Sequence, residues 1–314
     1  MVQPALRAQI AIGETTVTYL PDGEGWLNPA AFFPSSVPDG WATHSEFLDE
    51  HGRFPVSIGS FLIRSGERSI LVDLGLGTVD YTIPDVAYFK AGTLLKSLTA
   101  EGISPADVDT VVYTHLHHDH VGWTSDVAPA PYFPDGRDVG GLTFPEARYL
   151  VSEAEWRHWE TSGAFPGPDA KAVQAPLDGL IEFVADGEEI APGVRILSTP
   201  GHTPGHSSLI VTDPSGADQR RLIILGDIMH CQVQITQNQW TCVFDDDPEQ
   251  GLRTRAQLLK ELEDGNTLLA GGHFAGHVFG RVVPPAPRRA WASGPNVIEA
   301  STPVERREEK ESAR

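Results

Sequence analysis

Four histidines and one aspartate fall within residues 115–120, in the run Thr114-His115-Leu116-His117-His118-Asp119-His120. Neutral imidazole and carboxylate are the donors preferred by Zn²⁺ and neighbouring first-row cations. The apolar lead-in Val111-Val112-Tyr113 reads as a buried strand opening into a loop, which lets several of these side chains turn toward one point. Three signals downstream could complete the same site. They are His202 in Thr199-Pro200-Gly201-His202-Thr203-Pro204-Gly205-His206, Asp227 in Leu225-Gly226-Asp227, and His273 in Gly271-Gly272-His273. Each follows a β-like run (194–197, 222–225 and 267–270) and sits at a glycine-containing strand end. A histidine-rich surface loop would account for the first cluster alone. Metal-competent strand ends recurring along one chain point instead to a metal centre.

The frame that positions them is that of a globular protein. A length of 314 residues with 40% hydrophobic composition suits one large domain or two small ones with a substantial core. No apolar run approaches the ~20 residues of a membrane span, and residues 1–13 lack the apolar centre of a signal peptide. Only Cys231 and Cys242 occur, so no disulfide framework is expected and a cytoplasmic location is the default. The formal net charge of −20 repels phosphate backbones and argues against a nucleic-acid partner. A small-molecule substrate is expected, with no membrane partner.

Loose alternation over residues 8–20 predicts a strand pair around Gly13-Glu14, and residues 55–74 predict a hairpin turning at 65–68. Between them, residues 23–52 break into Trp26, Phe32, Phe33 and several prolines. This stretch reads as an excursion beside the site that walls an apolar pocket, as an arm for a homodimer contact, or as a loop packed on the core. Helical spacing predicts a helix over Phe89–Leu98, another from Glu153 capped by Ser152, and a third over Pro248–Asp264 ended by Gly265. Trp156 and Trp159 on the second helix are read as packing residues. Residues 131–141 read as a loop, and beyond about Pro284 the chain reads as a surface extension, disordered toward its end. Strands, intervening helices and strands again fit two mixed sheets face to face with helices outside.

The ordered motifs HxHxDH, PGHTPGH, GD and GGH resemble the metallo-β-lactamase-fold superfamily over roughly residues 6–285. The branch they resemble most holds the N-acyl-homoserine lactonases and the methyl-parathion-type hydrolases. Asp227-Ile228-Met229-His230 and Phe244-Asp245-Asp246-Asp247-Pro248 are similar to that branch as well. The resemblance implies an α/β fold, an αββα sandwich of two mixed β-sheets with helices on the outer faces. It would occupy residues 1–285, with 286–314 as a C-terminal extension.

The resemblance also implies a site. His115, His117 and His202 would hold one divalent ion, Asp119, His120 and His273 a second, and Asp227 would bridge them. The ions would most simply be Zn²⁺, with Mn²⁺, Co²⁺ or Fe²⁺ as alternatives. Asp73 would support one metal-binding histidine from behind. The implied activity is that of a hydrolase using a metal-bridging hydroxide to open a lactone or cleave an ester. A phosphotriester hydrolase, or a redox metalloenzyme of the same fold, is the alternative. Many penicillin-hydrolysing relatives place a cysteine where Asp227 stands, which argues against β-lactams. Asp119 and His230 are the catalytic candidates. His230 occupies a position where homoserine lactonases carry tyrosine, and it is open to two readings, substrate orientation or leaving-group protonation on one side and packing or support behind the metal ligands on the other. His118 either faces the pocket mouth or faces solvent. His206 is assigned a hydrogen-bonding role within its loop.

Overall fold

Strand alternation sorts the apolar residues of this chain into two kinds, those that face a second sheet and those that face a helix. The computed structural model describes residues 2–36, 38–129, 138–284 and 288–294. The first sheet is built from β1 (Ala8–Ile12), β2 (Thr15–Leu27), β3 (Phe54–Ser65), β4 (Arg68–Val72), β5 (Val79–Ile83), β6 (Ala87–Ala91), β7 (Thr110–Val112), β8 (Arg148–Ser152) and β9 (Ile181–Val184). Its order is β5-β6-β2-β3-β4-β7-β8-β9, with β1 also paired to β2. The second sheet runs in chain order through β10 (Glu189–Ala191), β11 (Val194–Ser198), β12 (Ser207–Thr212), β13 (Arg221–Ile224), β14 (Thr267–Ala270), β15 (Phe279–Val283) and β16 (Ala290–Ser293). Both sheets are mixed. β4, β7, β8 and β9 pair in parallel, as do β13 and β14, among otherwise antiparallel neighbours.

Ile63, Ile70, Val72 and Val112 of the first sheet meet Ile196, Leu209, Leu222 and Leu268 of the second in one buried layer. The alternate residues Leu62, Leu71, Val111 and Tyr149 turn outward, under α1 (Leu94–Ala100) and α2 (Glu153–Thr161). On the far side Ile223, Leu225 and Leu269 pack under α3 (Pro248–Glu261). Each such aliphatic side chain, fully buried, contributes roughly 1.5–3 kcal/mol of transfer free energy. The αββα sandwich is therefore the observed architecture. Helix starts follow local chemistry. Ser152 Oγ accepts from the Glu155 amide at 3.2 Å, and Asp247 from the Gln250 amide at 2.9 Å. Gly265, with φ 76°, takes the left-handed turn after the short 3₁₀ extension Leu262–Asp264.

Two expectations need correction. The helix read over Phe89–Leu98 begins only at Leu94, because Ala87–Ala91 is strand β6, held between β5 and β2 by long-range pairing that helical spacing does not register. The stretch 23–52 is not irregular from its start, since β2 continues through Leu27 past a bulge at Asp22. Residues 131–137 of the expected loop, and residues 295–314 of the expected extension, lie outside the described residues. In the stretch after Pro284, β16 pairs with β15 and so joins the second sheet. No helix among the described residues is long and apolar enough to cross a membrane.

Candidate metal centre

All seven candidate ligands stand at one edge of the sandwich. β7 ends at Val112, and the loop beyond it carries His115 and His117 into the helical turn His118–Val121, which holds Asp119 and His120. His202 lies in the β11–β12 connection, while Asp227 and His273 follow β13 and β14. The turn before Asp227 needs glycine, because Gly226 has φ 57° and a Cβ there would lie 2.5 Å from His206 Nε2.

Three rings form one group. His115, His117 and His202 have centroids 4.6–4.9 Å apart at interplanar angles of 80–83°. His117 Nδ1 and His202 Nε2 are 3.0 Å apart. That is close to the ~3.3–3.4 Å edge of a tetrahedron with ~2.0–2.1 Å bonds to a common ion. Asp119, His120 and His273 form the other group, with His273 Nε2 3.4 Å from Asp119 Oδ2 and His120 Nε2 3.8 Å from Asp119 Oδ1. Asp227 stands between them. Its Oδ1 is 3.3 Å from His120 Nε2, and its Oδ2 is 3.1 Å from His273 Nε2 and 3.5 Å from His202 Nε2.

The outer ring nitrogens of His120, His202 and His273 are held from behind, which fixes the direction in which the inner ones point. Asp73 Oδ2 lies 2.9 Å from His120 Nδ1, Asp245 Oδ1 lies 2.8 Å from His202 Nδ1, and His273 Nδ1 donates to the Ser57 carbonyl at 2.8 Å. His206 uses both nitrogens inside its loop. Nδ1 donates to the Thr199 carbonyl at 3.0 Å, and Nε2 accepts the Asp227 amide at 2.8 Å. Its lone pair is thus spent on the backbone beneath Asp227.

Several observations test whether the residues fit divalent ions. His115 Nε2, His120 Nε2 and Asp227 Oδ1 are buried without a hydrogen-bond partner, a costly arrangement for polar atoms that a cation would relieve. Sets of three potential donor atoms, such as His115-His117-His202 and Asp119-His120-His273, lie within 4.8 Å of one another. Burial drives the imidazoles of His115 and His117 well below their ordinary range and keeps them neutral, as ligands must be. Burial opposes charge on His120 and His273 too, but Asp227, with Asp73 and Asp119, outweighs it. His120 is held well above 6.5 and His273 rises to about 9. The carboxylates therefore draw positive charge to that side of the site, and the residues fit a pair of divalent cations.

The site floors an open cleft whose walls are apolar: Leu27, Phe32, Val56, Ile83, Phe89 and Phe244 among them. Of the expected aromatic wall only Phe32 contributes, its ring edge-on to His230 at 5.1 Å. Phe33 is buried behind it against Trp41, Phe54 and Trp240, and Trp26 stacks on Tyr88. His118 lines the cleft with its ring against Phe165, so it stands at the mouth rather than facing away. His230 Nε2 is 3.2 Å from Asp227 Oδ2, and its Nδ1 is buried without a partner. Trp159 packs as expected, and its ring abuts His117 at 5.6 Å.

Sequence reasoning missed four contributors. Glu155 sits in the first turn of its helix with no motif around it, and Asp245 stands within a run of aspartates. Tyr81 and Phe165 reach the cleft from the β5–β6 hairpin and from the loop after α2, segments without a motif. The one available signal was Asp245 itself, isolated from the helix-capping role taken by Asp247.

The fold agrees with comparison to known proteins. The family described as the metallo-beta-lactamase superfamily matches residues 53–273, and the chain belongs to it. An N-acyl homoserine lactonase of Bacillus sp is 28% identical over 188 residues, covering 55% of this chain and 64% of that protein. The chain thus spans less than two thirds of that relative's length. The structure of AidC, a dizinc quorum-quenching lactonase in complex with a product, superposes with a TM-score of 0.75 at 22% identity, covering 92% of this chain and 97% of the other. The hydrolase AbOPH of the beta lactamase superfamily gives 0.73 at 25% identity over the same shares.

Proposed function

We propose that this chain is a dinuclear-metal hydrolase that opens a lactone or cleaves a carboxylic ester, on a neutral substrate carrying an apolar arm. His115, His117 and His202 would hold one ion, Asp119, His120 and His273 the other, and Asp227 would serve both. The same reading assigns the catalytic domain to residues 1–285 together with strand β16, which completes the second sheet, and leaves residues 295–314 as the extension. The observation that carries it is the cleft, which joins a floor of imidazoles and carboxylates to apolar walls with no lysine or arginine among the described lining residues. Such a cleft offers a carboxylate or phosphate arm no side-chain counter-charge and desolvates an acyl or aryl arm well. The lactonase relative and the lactonase-like fold support the same class.

Two divalent cations, when bound, would supply an activated hydroxide and a Lewis acid for the scissile carbonyl. The protein's own groups do the rest. Asp119 is 27% exposed toward the cleft and can hold the proton released there. Tyr81 supplies the only hydroxyl among the described lining residues. Burial and then Asp119 raise its pKa, so it stays a phenol and can donate to a substrate oxygen. Burial keeps His230 neutral, and with Nε2–H directed at Asp227 it has only a lone pair left at Nδ1. That favours orienting Asp227 over protonating a leaving group.

Neutral phosphotriesters fit the same apolar-walled cleft and form the second reading. The test is zinc analysis of the loaded chain together with rates on N-acyl lactones, aryl esters and phosphotriesters. Two equivalents of zinc and turnover led by the carbonyl substrates are expected. At most one equivalent in fully loaded protein, or turnover of phosphotriesters alone, overturns the proposal.

A further inference from the structure

The helix α2 carries a carboxylate that faces inward, away from solvent. Glu155 is fully buried, and each of its oxygens takes two donors. Oε1 accepts the Leu116 amide at 3.0 Å and the Trp159 indole N–H at 2.7 Å. Oε2 accepts the Thr203 hydroxyl at 2.5 Å and the Gly205 amide at 3.2 Å. Burial raises the pKa of Glu155, while the hydrogen bonds from Thr203, Trp159 and Leu116 oppose that rise and suit the ionised carboxylate.

Those donors share one feature. Leu116 stands between His115 and His117, Thr203 directly follows His202, and the Trp159 ring abuts His117. A single side chain from a third segment of the fold therefore grips the backbone or packing of every ring in one half of the site. The other half is anchored elsewhere, His120 on Asp73 and His273 on the Ser57 carbonyl. Among the described residues, none of the hydrogen bonds accepted by Glu155 comes from Asp119, His120, Asp227 or His273 themselves.

We infer that Glu155 is a positioning residue for one metal ion of the pair: it sets the spacing of His115, His117 and His202 and leaves the ion at Asp119, His120 and His273 unaffected. The inference rests on the dinuclear reading above. A loop staple with no bearing on the metals would use the same hydrogen bonds, so the distinction lies in the selectivity between the two ions. Burying a charge costs several kcal/mol, and its compensation comes from loops on both sides of the three-ring group.

The experiment loads the full-length chain with zinc alone and challenges it with graded chelator, following the two ions separately and the thermal midpoint of the stripped protein. Glu155→Gln replaces two acceptors' worth of lone pairs with an NH₂ that faces donors. It is expected to lower the affinity of one zinc ion about 10–100-fold, the range for outer-shell partners, and the other less than about threefold. Combined with His202→Ala it should add no further loss, whereas combined with His273→Ala it should leave neither ion tightly held. Equal weakening of both ions, or a lower midpoint with both affinities unchanged, overturns the inference. Should Glu155→Gln not fold, Thr203→Val removes one donor and keeps the carboxylate. It is expected to weaken the same ion about tenfold, and unchanged affinities overturn the inference. A wild-type chain that binds fewer than two zinc ions sinks the dinuclear reading itself, a failure visible before any variant is compared.

Discussion

Asp73→Asn separates charge from shape at the back of the site. Asp73 holds a left-handed backbone, φ 60°, where asparagine is as well tolerated as aspartate, so the exchange strains nothing. Its Oδ1 accepts the Thr114 amide at 2.8 Å, while Oδ2 accepts the Thr114 hydroxyl at 2.8 Å and faces His120 Nδ1 at 2.9 Å. An asparagine keeps its oxygen on the Thr114 amide, because an NH₂ there would meet another donor. Its NH₂ then faces His120 Nδ1, which must become an acceptor and pass its hydrogen to Nε2. That hydrogen points at the place where a cation would take the lone pair. The loss is one charge-assisted hydrogen bond, about 1.5–3 kcal/mol, or roughly 10–150-fold in affinity for the ion at His120. Chelator competition on the zinc-loaded protein measures it, with the melting of the stripped protein as the control for folding. A variant that folds normally and keeps both zinc affinities within about twofold would refute the argument that Asp73 sets the His120 tautomer.

Tyr81→Phe deletes the one described hydroxyl of the cleft wall and should lower kcat/KM about 5–10-fold on carbonyl substrates with zinc content unchanged, as for one neutral hydrogen bond. Steady-state kinetics with unaltered values would remove Tyr81 from the reaction. His230→Phe, which keeps the packing against Phe32, should slow hydrolysis several-fold. A loss of ~10²-fold or more with metals retained would instead make His230 a general acid. Asp218, bonded to Arg220 first and then to the Arg220 and Gly13 amides, has its pKa lowered from 3.8 to about 2. Its contribution to stability is full above pH ~3.8 and lost as the pH falls through about 2. After discounting for its nearness to solvent, Asp218→Asn should cost about 1 kcal/mol near neutrality and nothing below pH 2. Equal denaturation midpoints of variant and wild type at pH 6 would contradict this.

Residues with strong chemistry at strand ends, three of those ends marked by glycine, made the seven candidate ligands legible, because β7, β11, β13 and β14 are short, apolar and abruptly ended. The layer order was legible for a related reason. Alternation in 55–74 separates residues facing the second sheet from those facing helices. What escaped was set by distant partners. Glu155 looks like a helix-start acid until Thr203 and Leu116 arrive from other loops. Strand β6 is a strand only because β5 and β2 flank it. Trp26, Phe32 and Phe33 are alike in composition, yet pairing holds Trp26 in β2 beside Tyr88 and the helical turn Pro29–Phe32 brings Phe32 to the cleft.

The site is divided between layers. His115, His117, Asp119 and His120 hang from the first sheet, whereas His202, Asp227 and His273 hang from the second. Any ion shared across that division acts as a rivet through the edge of the sandwich, and the two sheets cannot part there without releasing it. Mass action then ties the lifetime of the folded chain to its surroundings: free metal at 100 times its dissociation constant adds about 2.7 kcal/mol per ion to the native state. Starved of metal, the same polypeptide would loosen first along that edge, and a protease should cut there before it cuts anywhere in the far half of the sandwich. Metal supply would thus govern how much of this protein persists as well as how fast each molecule works.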